Sequence, residues 1–188
     1  MSCRRCRLHR FRRQEVAGRG DLPADILFIG EAPGRSEDLR GKPFIGPSGR
    51  ILQAAIEAAT VIADLGSAPR YYIANVVRCI PLTKTGGDIR PPSEDEIEAC
   101  WPNLEEIYLR AKPKHVVFLG RVPETACKKR IPGGRYMYHP AFILRSGGER
   151  SSQFREFVRE LSELFIDAKR RKSVWRKPKR TKGRESTG

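Results

Sequence analysis

Residues 30–34, Gly-Glu-Ala-Pro-Gly, combine two glycines and a proline directly after an apolar run at residues 25–29. Because glycine allows sharp turns and close approach, the backbone of such a segment can lie against a planar ligand. An ordinary tight turn explains the same residues equally well. Phe44, within the glycine-rich residues 41–49, is either a core side chain or a platform on which a base stacks. The hypothesis is that both segments line one ligand pocket.

Two polar side chains are expected near the ends of strands. Asn75 follows apolar residues from Tyr71 onward, and its amide can pair with the donor and acceptor edge of a base. An asparagine that fixes a neighbouring loop is the commoner explanation. His139 precedes an apolar stretch that ends at Arg145. A lone histidine is usually structural, but the apolar residues after it suggest a loop that unstacks a duplex as a wedge.

Four of the five cysteines have a spacing that suits metal binding. Cys3 and Cys6 form a Cys-x-x-Cys pair, while Cys79 and Cys100 stand far along the chain. Zinc and iron–sulfur clusters both accept four thiolates, so the ligand type leaves both open. Each cysteine also has the alternative of plain burial, and this is the explanation adopted for Cys127.

The net charge of +15 is concentrated at the two ends of the chain. Residues 1–20 hold seven arginines against one glutamate, and residues 168–188 hold ten basic residues against one. Basic ends on a neutral body suit a polyanion such as DNA, although a solvated, disordered tail explains residues 168–188 as well. No apolar stretch approaches the roughly 20 residues that span a bilayer, and no signal segment is evident. We therefore expect a cytoplasmic protein without membrane contact.

The hydrophobic pattern alternates between strands and helices, which predicts a parallel sheet covered on both faces. Ligands bind beyond the carboxyl ends of such strands. Ser93 and Glu96 have the spacing of a capping box and mark the clearest helix. The predicted strands are residues 25–29, 71–77, 115–120 and 135–138, and the predicted helices are residues 49–59, 93–108, 123–129 and the segment from 152 onward.

In their order along the chain, these segments resemble the iron–sulfur (family 4) uracil-DNA glycosylases. The resemblance runs from Cys3 to Arg145. It implies an α/β fold of three layers, α/β/α, with a four-stranded parallel sheet in residues 1–167, followed by the tail at 168–188. It also implies a [4Fe-4S] cluster held by Cys3, Cys6, Cys79 and Cys100.

The resemblance further implies an enzyme that releases uracil from a flipped-out nucleotide of single- or double-stranded DNA, acting as a monomer. Glu31 and His139 would be catalytic, and Ala32, Phe44 and Asn75 would contact the uracil. Ala32 occupies a place where relatives carry an acidic residue, so catalysis would depend on Glu31 and on stabilising the leaving group. DNA contacts would come from Ile143, Leu144 and Arg145.

Two departures bear on this assignment. Residues 83–87 lengthen the loop between the third and fourth cysteines, and the segment from Gly120 to His139 is short for the family. The second departure leaves the position of His139 open. It also leaves open a DNA- or uracil-binding module with little or no catalysis. A zinc-stabilised basic scaffold that uses only its basic ends is a separate alternative.

Overall fold

The computed structural model describes residues 3–170 and contains one sheet of five strands. These are β1 (Arg19–Gly20), β2 (Ile26–Gly30), β3 (Tyr71–Asn75), β4 (His115–Leu119) and β5 (Arg135–Met137), in the spatial order β1-β3-β2-β4-β5. Strands β2 to β5 are mutually parallel, which confirms the predicted four-stranded parallel sheet. The added strand, β1, pairs antiparallel with β3. With two residues, it is too short to give a periodic pattern in sequence.

Six helices surround the sheet within the described part of the chain. They are α1 (Arg35–Arg40), α2 (Pro47–Ile62), α3 (Glu94–Ala111), α4 (Arg121–Cys127), α5 (Pro140–Arg145) and α6 (Ser152–Arg170). The predicted capping box is confirmed at α3, where the Ser93 hydroxyl accepts from the N–H of Glu96 and the Glu96 carboxylate accepts from the N–H of Ser93 at 2.9 Å. Three-10 turns occur at Arg7–Arg10 and Gly148–Arg150.

The central strand β2 is buried on both faces, as expected for a parallel sheet between helical layers. Ile26 and Phe28 point into a core formed with α2, α5 and α6. Leu27 and Ile29 point into a second core formed with α3, α4 and the N-terminal segment. The α/β/α layering predicted from the sequence follows from these two cores.

Two segments differ from the sequence predictions. Residues 140–145, expected to form a loop, form helix α5, because Pro140 provides a preorganised first turn and His139 caps it. Helix α1 was missed because its six residues are too few to give a periodic apolar pattern. Helix α6 is described as far as Arg170, and the predicted boundary at 167 stays a prediction. The rest of the predicted tail, residues 171–188, lies outside the described residues.

The strand order places a topological switch point at the carboxyl end of β2. The chain leaves β2 for β3 on one side and returns to β4 on the other. Loops that diverge in this way open a crevice, which is where open α/β sheets bind ligands.

None of the helices within residues 3–170 combines the length and apolar surface that crossing a bilayer requires.

Candidate active site

A pocket of about 550 Å³ opens at this crevice. It contains all five residues for which the sequence predicted catalytic or uracil contacts, together with Arg145. Its walls are formed by Glu31, Ala32, Pro33, Gly34, Glu37, Phe44, Ser48, Asn75, Ile89, His139, Ala141 and Arg145. The short segment before His139 therefore still delivers this residue to the pocket.

Phe44 is held in a strained backbone conformation at the pocket wall. Its φ of 52° lies in the left-handed region, which a bulky residue adopts only when its surroundings enforce it. The Glu37 carboxylate accepts hydrogen bonds from the two backbone N–H groups after Phe44, at 3.0 and 2.7 Å. On the other side, the Arg19 guanidinium donates to the carbonyls of Pro43 and Phe44, at 2.9 and 3.3 Å. These contacts fix the ring of Phe44, which is 8% exposed, against the pocket.

Asn75 ends β3 and reaches the pocket with an unmatched acceptor. The residue is 5% exposed, and its Oδ1 atom has no hydrogen-bond partner among the described residues. Leaving such a buried acceptor unpaired costs about 1–3 kcal/mol. The cost is recovered when a ligand in the pocket donates a hydrogen bond to Oδ1.

His139 faces Phe44 across the pocket, with their ring centroids 6.0 Å apart. Its Nδ1 atom accepts a hydrogen bond from the backbone N–H of Ala141 at 3.0 Å, so the proton of the neutral ring resides on Nε2. Burial, together with the nearby charge of Arg145, lowers the pKa of His139 to about 4. At neutral pH the side chain is therefore an uncharged donor.

Glu31 is a half-buried carboxyl group in the turn after β2. Burial raises the pKa of Glu31 above its ordinary value. The turn itself is anchored, because the carbonyl of Glu31 accepts from the N–H of Val77 at 3.2 Å. Ala32 adds no charge to the pocket, so Glu31 and Glu37 are the two carboxylates in its wall. Glu37 is engaged with backbone, which leaves Glu31 as the carboxylate available for chemistry.

Helix α5 does not present Ile143 to DNA. Ile143 is fully buried and packs in the core with α2 and α6, so its predicted place in a wedge is not supported by the structure. A helix of six residues has room for few outward positions, and here these belong to Phe142 and Leu144, each 40% exposed. Arg145 lies at the end of the same helix and borders the pocket.

The four predicted metal ligands line one small cavity on the far side of β3. Cys3, Cys6, Cys79 and Cys100 share it with Arg12, Glu15, Arg78 and Asn103. The Arg12 guanidinium donates to the Cys79 sulfur at 2.7 Å, and the Asn103 amide donates to the Cys100 sulfur at 3.5 Å. Burial raises the pKa of Cys79 to about 11.

The donor set fits a cluster bound by thiolates. Four cysteines line one cavity, and Arg12 and Asn103 provide the N–H groups that commonly support ligating sulfurs. Within residues 3–170, no three His, Cys, Asp or Glu side chains are arranged as they stand to hold a metal ion, so binding would draw the sulfurs closer. Cys127, in contrast, is fully buried away from this cavity, as predicted.

Sequence comparison agrees with the pocket. A family model described as the uracil DNA glycosylase superfamily matches residues 17–162. The chain belongs to this superfamily. The match begins after Cys3 and Cys6 and includes the whole of the pocket.

Several relatives of this chain bear the name type-4 uracil-DNA glycosylase, and three of them illustrate the range of identity. The one from Pyrobaculum aerophilum is 30% identical over 187 residues, covering 87% of this chain and 88% of the relative. The one from Archaeoglobus fulgidus is 38% identical over 168 residues, covering 77% and 79%. The one from Saccharolobus solfataricus is 40% identical over 119 residues, covering 63% of this chain and 51% of that relative.

The residues that fix the backbone of the pocket wall were not predicted from the sequence. Glu37 and Arg19 clamp the backbone around Phe44 from opposite sides. A carboxylate seven residues before an aromatic residue is not a recognisable sequence motif. The hydrogen bonds of Glu37 to the backbone after Phe44 form only because helix α1 positions the carboxylate there. Ser48 and Ile89 also line the pocket, and neither was singled out from the sequence.

Proposed function

We propose that the protein is a uracil-DNA glycosylase, which hydrolyses the N-glycosidic bond of deoxyuridine in DNA and releases uracil from a flipped-out nucleotide. One observation carries the proposal. A buried amide oxygen without a partner, on Asn75, shares a pocket with a fixed aromatic ring and a neutral imidazole donor. A flat, uncharged base suits all three groups: its face stacks on the aromatic ring, a donor on its edge pairs with the amide oxygen, and an acceptor on its edge pairs with the imidazole.

Recognition of uracil follows from the edge of the base. The N3–H group of uracil lies between two carbonyls, so Asn75 Oδ1 accepts from N3–H while its amide nitrogen donates to O4. Cytosine offers an acceptor at N3 and a donor at the exocyclic amine, the reverse pattern. Phe44 stacks on the face of the ring, which orients the edge toward Asn75.

Departure of uracil is assisted by His139. The base leaves as an anion with charge on its carbonyl oxygens, and the Nε2–H of His139 is positioned on the pocket wall to donate to it. A preorganised donor of this kind contributes about 3–4 kcal/mol to the transition state. A neutral donor also keeps the charge of the pocket unchanged before reaction, because the pKa of His139 is about 4.

Glu31 supplies the negative charge on the sugar side. As the bond breaks, positive charge develops on the deoxyribose, and a carboxylate nearby stabilises it and orients the attacking water. Its raised pKa makes Glu31 a better proton acceptor than an exposed glutamate. Since Ala32 has no acidic group, the reaction depends on Glu31 for this role.

We further propose that Cys3, Cys6, Cys79 and Cys100 hold a [4Fe-4S] cluster. When bound, the cluster is a structural cross-link that joins the N-terminal segment to α3 and to the segment after β3. Arg12 and Asn103 would donate hydrogen bonds to its ligating sulfurs. Zinc would be the metal instead if purified protein were colourless and free of iron.

The substrate is uracil-containing DNA, single- or double-stranded, bound by a monomer in the cytoplasm. Exposed Leu144 and Arg145 beside the pocket are proposed to enter the space that the flipped nucleotide leaves.

Incubation with an oligonucleotide that contains one deoxyuridine tests the proposal. The expected product is an abasic site that alkali cleaves, with an otherwise identical thymidine oligonucleotide left intact. Binding without strand cleavage after alkali, in both single and double strands, would identify the competing function of a uracil-binding module. An absorbance spectrum of the same preparation reports the iron–sulfur cluster.

A further inference from the structure

A second cavity, of about 180 Å³, lies next to the active-site pocket without sharing a wall residue with it. It is lined by Tyr136, Met137, Tyr138, Glu156, Phe157 and Glu160. Tyr138 immediately precedes His139 in the chain, so the two cavities are adjacent at the end of β5. The proposed reaction uses none of these residues.

Three aromatic rings and a guanidinium form a continuous surface at this cavity, here called the aromatic stripe. The Arg121 guanidinium lies 4.3 Å from the ring centroid of Tyr136. Tyr136 lies 6.2 Å from Tyr138, and Tyr138 lies 5.3 Å from Phe142, measured between ring centroids. The two tyrosine rings meet edge-on at 78°, and Tyr138 meets Phe142 at 41°, so the rings do not stack on one another. Unpaired bases stack on the free faces of aromatic side chains.

The aromatic stripe is partly exposed. Met137 is 2% exposed, and Tyr138, one residue beyond the end of β5, packs against the same core as a partly buried side chain. Tyr136, one residue before Met137 in the strand, is also partly buried. Phe142 is 40% exposed on α5, the same helix that carries Arg145 at the active-site pocket. Exposed Phe142 and the partly exposed tyrosines thus offer an apolar surface to a ligand beside the active-site pocket.

Two carboxylates line this cavity. Glu156 and Glu160 lie one turn apart on α6, and Glu156, more than burial, raises the pKa of Tyr138. Glu156 shares a hydrogen bond with the Tyr138 side chain, while the ion pairs of α6 within residues 3–170 involve Glu163 and Asp167. The negative charge of Glu156 and Glu160 disfavours a phosphate and favours a base edge that presents hydrogen-bond donors.

We propose that the cavity and the aromatic stripe bind one unpaired guanine next to the flipped nucleotide. Guanine presents adjacent donors at N1 and N2, which match a carboxylate, whereas thymine presents carbonyl oxygens on either side of its single N–H. The guanine comes either from the same strand, next to the uracil, or from the opposite strand, where the flipped base leaves its partner unpaired. The inference rests on the proposed function, because it places DNA at the active-site pocket.

The test measures binding, not turnover, with oligonucleotides that carry 2′-fluoro-deoxyuridine, whose glycosidic bond resists cleavage. Single strands carry guanine or thymine on either side of the analogue, and duplexes carry guanine or thymine opposite it. Fluorescence anisotropy on the full-length protein is expected to give about tenfold tighter binding for guanine in at least one of these arms. The arm that shows the preference identifies the source of the guanine.

The double variant Glu156→Gln/Glu160→Gln is expected to bind the guanine and thymine oligonucleotides with nearly equal affinity, because a neutral amide pairs with either base edge. Glu163→Gln, on the same helix outside the cavity, is the matched control and is expected to keep the wild-type ratio of the two affinities. Tyr136→Leu is expected to weaken binding of both sequences by removing the stacking surface.

Equal binding of guanine and thymine in every arm would overturn the inference, as would a guanine preference that the double variant retains. The proposed function fails separately, when the protein releases no uracil from an ordinary deoxyuridine substrate.

Discussion

Gly30 and Asn75 are in such close contact that a Cβ atom on Gly30 would stand 2.5 Å from Asn75 Oδ1. The same atom would stand 2.6 Å from the ring of Phe44. Gly30 thus lets the recognition amide and the stacking ring approach the carboxyl end of β2 together.

Gly30→Ala is expected to lower kcat/KM on uracil DNA by about 100-fold, because a displacement of the two binding side chains by about 1 Å misaligns the base. The control is Gly66→Ala, at a position where a Cβ meets nothing within 4 Å. Equal activity of the two variants would contradict the role given to this contact.

Asn75→Ala is expected to separate activity from stability. Removing an unpaired buried acceptor leaves the free energy of unfolding unchanged or raises it by about 1 kcal/mol. The same change removes uracil recognition and lowers kcat/KM by at least about 100-fold, since the paired N3–H then has no acceptor. Urea unfolding and steady-state kinetics on the same preparation give both quantities. A destabilised variant with full activity would mean that Asn75 is a structural residue.

The depressed pKa of His139 predicts how stability depends on pH. The unfolded state has the ordinary histidine pKa near 6.5, whereas the folded state has a pKa of about 4, so between these values the unfolded chain binds more protons. Stability from this group is fully present above about pH 6.5 and is lost as the pH falls toward 4, by at most about 3 kcal/mol.

His139→Asn tests this linkage. Asparagine still caps α5, but it does not titrate, so the variant lacks the part of the stability loss that His139 causes. Urea unfolding at about pH 7 and about pH 4.5 measures the difference between the two proteins. The variant is also expected to lose roughly 100-fold in kcat at neutral pH. Parallel pH dependences of unfolding in both proteins would show that the imidazole of His139 titrates normally.

Alanine substitutions at two neighbouring residues of helix α5 are expected to affect stability differently. Ile143→Ala is expected to cost about 2–5 kcal/mol of unfolding free energy, because Ile143 is fully buried. Leu144→Ala is expected to change stability by less than about 1 kcal/mol, because Leu144 is 40% exposed. The Leu144 variant should lose activity on double-stranded substrate more than on single-stranded substrate, since only the duplex must be unstacked. Equal loss on both substrates would argue against a wedge.

The sequence predicted what depends on local pattern. Apolar runs ending in glycine placed β2 and β4, and the spacing of Ser93 and Glu96 placed α3, because each signal lies within one element. The burial of Ile143 was not predictable in this way. Its orientation depends on α5 beginning at Pro140, which turns an apparent exposed loop into a helix with one inward face.

The residues that line the pocket were predictable from the sequence, whereas the hydrogen bonds that position them were not. Asn75 and His139 stand out because polar side chains at strand ends are unusual among apolar neighbours. Glu37 accepts a hydrogen bond from the backbone after Phe44, and His139 accepts one from the N–H of Ala141. Both contacts depend on tertiary geometry and have no sequence pattern.

The most direct measurement is the amount of free uracil released from a deoxyuridine oligonucleotide by the iron-loaded protein. The account predicts one uracil for each deoxyuridine from the wild type, and release slower by at least about 100-fold from both Asn75→Ala and His139→Asn. No release of uracil by the wild type, or undiminished release by both variants, would contradict it.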